Sequence, residues 1–119
     1  MRTSNRLNWI VALLGIWEGL APFILGYSFD VVAVWNAILV GFGFLVFGAW
    51  SALSASPGTS RGLNWINVIL GIWLILAPFV LGYAGIVVAM WNAIIIGAIV
   101  ALMEIWAALS VRGVETTQM

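Results

Sequence analysis

Two carboxylates stand inside otherwise apolar stretches of this 119-residue chain, and they are its most unusual residues. Glu18 falls about 11 residues into the first long apolar run, near mid-membrane if that run spans a bilayer. A carboxylate there costs at least about 2.5–3.5 kcal/mol unless it is paired or carries a proton. Two readings follow. Glu18 is a proton or cation site or a contact with a partner subunit, or it is a protonated carboxyl hydrogen-bonded to a carbonyl loosened by Pro22. Glu104 lies about 9 Å from the end of the last run, within reach of Arg112, Arg61 or Arg6 if its side chain extends that way.

The remaining candidates are aromatic, amide and imino residues. Trp17 and Trp73 sit eight residues inside Trp9 and Trp65, roughly 12 Å deeper. They either pack between helices or contact a pigment or quinone. Trp9, Trp65, Trp50, Trp106, Trp35 and Trp91 fall at the run ends, as expected of interfacial indoles. Pro22 and Pro78 each remove a backbone donor and free the carbonyl four residues back, at Glu18 and Leu74. Gly26 and Gly82 then offer helix stops. Asn36 and Asn92, just inside the next runs, are expected to cap or bridge the loosened backbone.

Most other chemistry is excluded by what the chain lacks. It has no Cys and no His, and its four basic residues are all Arg. Disulfides, thiolate catalysis, histidine general bases and Schiff-base lysines are therefore absent. No cofactor is implied. A formal net charge of zero without a clustered basic face argues against nucleic acid. With 65% hydrophobic and 7% charged residues, the chain cannot cover a water-facing surface.

The elements that carry these residues are four apolar runs, at 7–26, 31–53, 63–82 and 86–110. Each is long enough for a helix to cross roughly 30 Å of hydrocarbon. The runs are continuous rather than alternating, which disfavours barrel strands. Residues 7–54 align without a gap on residues 63–110, with 27 identities in 48 positions. The fold expected is therefore all-α and membrane-integral: two tandem helical hairpins, joined by a linker at 55–62 and followed by a tail at 111–119. Both copies enter from the same side, so a pseudo-twofold axis along the membrane normal is expected. All four Arg lie in tails or linker, which places the N- and C-termini in the cytoplasm. Stripes of small residues, Ala33-Ala37-Gly41 and Ala89-Ala93-Gly97-Ala101, suit close helix contact in lipid. Phe42, Phe44 and Phe47 oppose Ala98, Val100 and Met103, so the two halves are expected to present differently shaped faces.

The repeated pattern of Asn-Trp, Leu-Gly-Ile-Trp, Leu-Ala-Pro-Phe and Trp-Asn-Ala-Ile resembles the SPW-repeat family of small bacterial and archaeal membrane proteins. The family tripeptide Ser-Pro-Trp is here Ala21-Pro22-Phe23 and Ala77-Pro78-Phe79. The resemblance implies a four-helix protein of a prokaryotic cytoplasmic membrane and implies no enzymatic activity. Taken together, the residues suit a non-enzymatic accessory or scaffold subunit that packs in lipid against other membrane subunits or against itself. The alternative is a small oligomeric transporter or proton pathway using Glu18.

Overall fold

The computed structural model describes the backbone of residues 3–118 and the side chains of residues 4–110. It contains four helices: α1 (Thr3–Ile24), α2 (Val31–Leu53), α3 (Pro57–Val80) and α4 (Val87–Gln118). All four are long and apolar enough to cross a membrane. Length and composition explain why: an unbroken run of apolar side chains leaves no polar face for water, and a helix satisfies its own backbone within lipid.

The two connections at the hairpin tips are closed by glycine. Gly26 and Gly82 have φ of 85° and 84°, a region that side chains with a Cβ rarely adopt. They let the Tyr27 and Tyr83 amides donate back to the Pro22 and Pro78 carbonyls, each at 2.9 Å. This is the six-to-one bond of a glycine-terminated helix. Asp30 then caps α2, accepting from the Ala33 amide at 3.0 Å.

The connection between hairpins is shorter than the turn-forming composition suggests. Ser56 caps α3 by accepting from the Thr59 amide, and Pro57 occupies the first turn, where its missing N–H costs nothing. Residues 57–62, expected as linker, are therefore helical. Residues 111–118, expected as a tail, continue α4.

Each hairpin packs on itself, and the ring closes through α2 against α3 and α1 against α4. Within a hairpin the helices touch at glycine. A Cβ on Gly71 would lie 2.8 Å from the Gly97 carbonyl oxygen, and Gly15 and Gly41 cross in the same manner. The small-residue stripes of α2 and α4 are buried, as the close approach requires. The middle of the bundle is apolar, built from Val11, Val40, Phe44, Leu74, Ala93, Ile96 and Val100. Phe44 is thus a core residue and no part of an outward face, whereas Phe42 is exposed.

Candidate functional site: two polar layers around an apolar middle

At the tip end, side chains from both hairpins meet. The Trp17 indole Nε1 donates to Asn92 Oδ1 at 3.0 Å, and the Trp73 Nε1 donates to Asn36 Oδ1 at 2.9 Å. Each asparagine passes the connection on through its amide. Asn92 Nδ2 donates to the Tyr27 hydroxyl at 3.3 Å, and Asn36 Nδ2 to the Tyr83 hydroxyl at 3.1 Å. In both arms the Trp and Tyr come from one repeat and the Asn from the other. The arms therefore bind hairpin to hairpin, α1 to α4 and α3 to α2.

Glu18 breaks this equivalence. Its Oε1 accepts from Asn92 Nδ2 at 2.9 Å, while Leu74 fills the matching position of the second repeat. Glu18 is only 2% exposed. The carboxyl thus joins an amide already shared with Trp17 and Tyr27, rather than a backbone carbonyl loosened by Pro22. Asn36 and Asn92 likewise bond side chains, not the proline turns they were expected to cap. Proline makes the turns self-sufficient with glycine, so the amides are available for cross-repeat contacts. Pro22 and Pro78 are fully buried and end their helices beside these arms.

The tyrosines were missed as members of this layer, because their place after Gly26 and Gly82 marks them as loop residues. Both are nearly fully buried. Burial pushes the Tyr83 phenol up to about 12, against a smaller lowering by its bond from Asn36. Tyr27 is raised further, again chiefly by burial, with Glu18 and Tyr83 adding to it. Both hydroxyls stay neutral hydrogen-bonding groups at ordinary pH.

The opposite, base end holds a second polar layer. Asn8 Nδ2 donates to the Ser4 carbonyl at 2.8 Å and to Ser51 Oγ at 3.1 Å. Ser51 Oγ donates to Asn64 Oδ1 at 2.8 Å, and Ser60 Oγ donates to the Ser51 carbonyl at 2.9 Å. This node ties α1, α2 and α3 together. Asn67 and Glu104, both 0% exposed, face each other between α3 and α4 beside it. Glu104 does not reach towards Arg61 or Arg6. It is buried against Asn67, and among the described residues neither carboxyl oxygen makes a well-aligned hydrogen bond. Arg112 lies outside the residues whose side chains are described.

Between the layers, Val11, Phe44, Leu74 and Val100 are each 0% exposed. From Asn92 to Glu104 along α4 the rise is roughly 18 Å. Among the described residues no three His, Cys, Asp or Glu gather as metal ligands. Five of the six interfacial tryptophans, Trp35, Trp50, Trp65, Trp91 and Trp106, are exposed on the outside of the bundle.

Against known proteins, the repeated hairpin is decisive: residues 5–107 match the SPW repeat domain. The chain belongs to the SPW repeat family. No curated protein and no solved structure matches it. In this SPW repeat protein the Pro of the family tripeptide is kept twice, and each copy follows by five residues a tryptophan that bridges the repeats.

One surface feature separates the two SPW repeats. Gly15, Gly19, Gly41, Ile38, Phe42 and Leu45 line an apolar groove of about 300 Å³ between α1 and α2. A Cβ on Gly19 would meet nothing within 4 Å. The equivalent of Gly19 is Ile75, whose side chain lies against Gly97 and fills the corresponding space.

Proposed function

We propose that this four-helix membrane protein is a non-enzymatic packing subunit, assembling in the bilayer with other membrane subunits or with copies of itself. The observation that carries the reading is the unequal outer face of the two repeats. The α1–α2 groove is open at Gly19 and flanked by exposed Phe42, where the second repeat carries Ile75 and Ala98. In lipid, close packing rather than the hydrophobic effect drives helix association, so a groove floored by glycine favours an apposed helix. Inside, the tip carboxyl is already engaged by Asn92, and an apolar layer stands between it and the base. Both features support packing over passage.

The proposed orientation follows the arginines: termini and the 54–56 connection in the cytoplasm, hairpin tips outside. Cysteines placed at Ser56 and Ser28 are then expected to label from opposite sides of sealed cells, with Ser28 reached from outside. Labelling of both from one side contradicts the orientation.

The test of the subunit reading is extraction in mild detergent, with native mass measured on the complex that comes out. The expected species is a stable assembly that Gly19→Ile, which copies the second repeat, disrupts. A wild-type monomer under those conditions contradicts the reading. The second reading, an oligomeric proton or ion pathway, is favoured by Glu18 alone, a buried carboxyl on a shared amide. It requires several copies to enclose a path, since four helices with a filled centre leave none.

A further inference from the structure

The two hairpins differ at a facing pair of positions near the base. Val11 on α1 corresponds to Asn67 on α3, and Gly48 on α2 corresponds to Glu104 on α4. In the first repeat α2 comes close to the α1 backbone here: a Cβ on Gly48 would lie 2.9 Å from the Asn8 carbonyl oxygen and 3.2 Å from the Ala12 amide nitrogen. In the second repeat the same contact holds an amide and a carboxyl, both 0% exposed. Both polar residues appear together, on different helices, at positions that face each other.

Their bonding is incomplete in a specific way. Asn67 and Glu104 lie side by side without a well-aligned hydrogen bond between them, and among the described residues Asn64 Nδ2 and Asn8 Oδ1 have no partner either. Asn64 is three residues from Asn67 on α3, so the two share a helix face. Asn8 and Asn64 meet at Ser51 Oγ. Buried polar groups left unpaired are costly, and in folded proteins such groups have a partner of some kind. The atoms concerned comprise two N–H donors and four oxygens. A metal cation satisfies oxygens only and is repelled by the amide hydrogens. An anion satisfies the donors and opposes the carboxyl. Water both donates and accepts, so one kind of ligand serves amide hydrogens and oxygens together, making two to four bonds at such sites.

We propose that Asn64, Asn67 and Glu104 form a water-binding pocket in the base half of the bundle. Phe44, Leu74 and Val100 close it towards the tips, so the pocket is hydrated from the base side only. Glu104 then exchanges with water from one face of the membrane, while Glu18 is held by Asn92 in a separate layer. The pocket is independent of the subunit reading above.

Water-edited solid-state NMR of the full chain in lipid bilayers tests this without any mutation. Polarisation from water is expected to reach Glu104 Cδ and the Asn67 and Asn64 side-chain carbons as fast as it reaches surface side chains. The Leu74 and Val100 methyls are expected to fill slowly. Transfer to Glu104 and Asn67 as slow as to Val100 means a dry pair and overturns the proposal. Replacing sodium chloride by choline chloride is expected to leave the Glu104 Cδ shift unchanged. A sodium-dependent shift overturns water as the ligand in favour of a cation. In Asn67→Val, which copies Val11, transfer to Glu104 is expected to be lost while Glu18 is unaffected. Undiminished transfer in that variant removes Asn67 from the pocket and overturns its assignment.

Discussion

The tip layer and the base layer of this bundle solve the same problem, buried polar groups in lipid, in different ways. At the tips, Trp17–Asn92–Tyr27 and Trp73–Asn36–Tyr83 repeat one another, and each indole and amide donor finds a side-chain acceptor in the other hairpin. At the base, the bonded node lies on α1, α2 and α3, and the pair between α3 and α4 lies side by side without a well-aligned hydrogen bond. The difference teaches that both copies keep the tip joints, whereas the base keeps Asn8 and Asn64 but exchanges Ser51 for Ala107, Val11 for Asn67 and Gly48 for Glu104. Each layer also carries one acid foreign to its repeat mate. The tip acid accepts a well-aligned bond from Asn92, and the base acid, beside Asn67, makes none among the described residues.

The largest effect is expected where one residue serves most partners. Asn92→Leu strands Trp17 Nε1, Glu18 and Tyr27, and is expected to cost about 2–3 kcal/mol of unfolding free energy in bicelles. Asn36→Leu strands only Trp73 and Tyr83 and is expected to cost about 1–2 kcal/mol. Equal costs would mean that Glu18 adds nothing to the arm it joins. In the base layer, Ser51→Ala copies the second repeat's Ala107 and breaks the bonds to Asn8 and Asn64. A loss of about 1 kcal/mol is expected there. A larger loss than for Asn92 would reverse the ranking of the layers.

The helices were legible in the sequence because apolar continuity over 20 or so residues leaves few other structures. The Pro-Gly ends were legible too, since a missing donor and a residue tolerant of positive φ are local facts. The pairing of Trp17 with Asn92, and of Trp73 with Asn36, was not. Spacing within one helix fixes which face a residue is on and says nothing of which helix will lie beside it. Asn8, Asn64, Ser51 and Ser60 passed unnoticed because short polar residues near a run end look like ordinary interfacial groups. Asn67 and Glu104 carried a usable signal: both depart from the repeat at positions that the hairpin brings face to face.

Smaller effects sharpen the comparison further. Glu18→Gln keeps a hydrogen-bonding amide beside Asn92 and is expected to change stability by less than about 1 kcal/mol. Glu18→Leu, which copies Leu74, is expected to be equally mild or slightly stabilising. A severe loss in either would make the carboxyl itself, and not the Trp–Asn–Tyr arm, the keystone of the tip layer.

The smallest effect is on pH dependence. Burial raises the Tyr83 phenol from 10.0 to about 12, so its contribution is fully present below pH 10. That contribution is expected to fade as pH rises from 10 towards 12, with Tyr ionisation followed by absorbance alongside thermal stability. Tyr27→Phe and Tyr83→Phe together are expected to flatten the decline. Phenols titrating near their ordinary value would show that water enters the tip layer.

The most direct test of the account is proton flux in liposomes containing only this purified chain. Along α4, buried Ile96 and Val100 lie between Asn92, which holds Glu18, and Glu104, and they pack with Val40 and Phe44 in the apolar middle. The flux is therefore expected to match that of protein-free liposomes, and Glu18→Gln is expected to leave it unchanged. Flux well above that background, abolished by Glu18→Gln while assembly stays intact, would contradict the packing role and establish a pathway through Glu18.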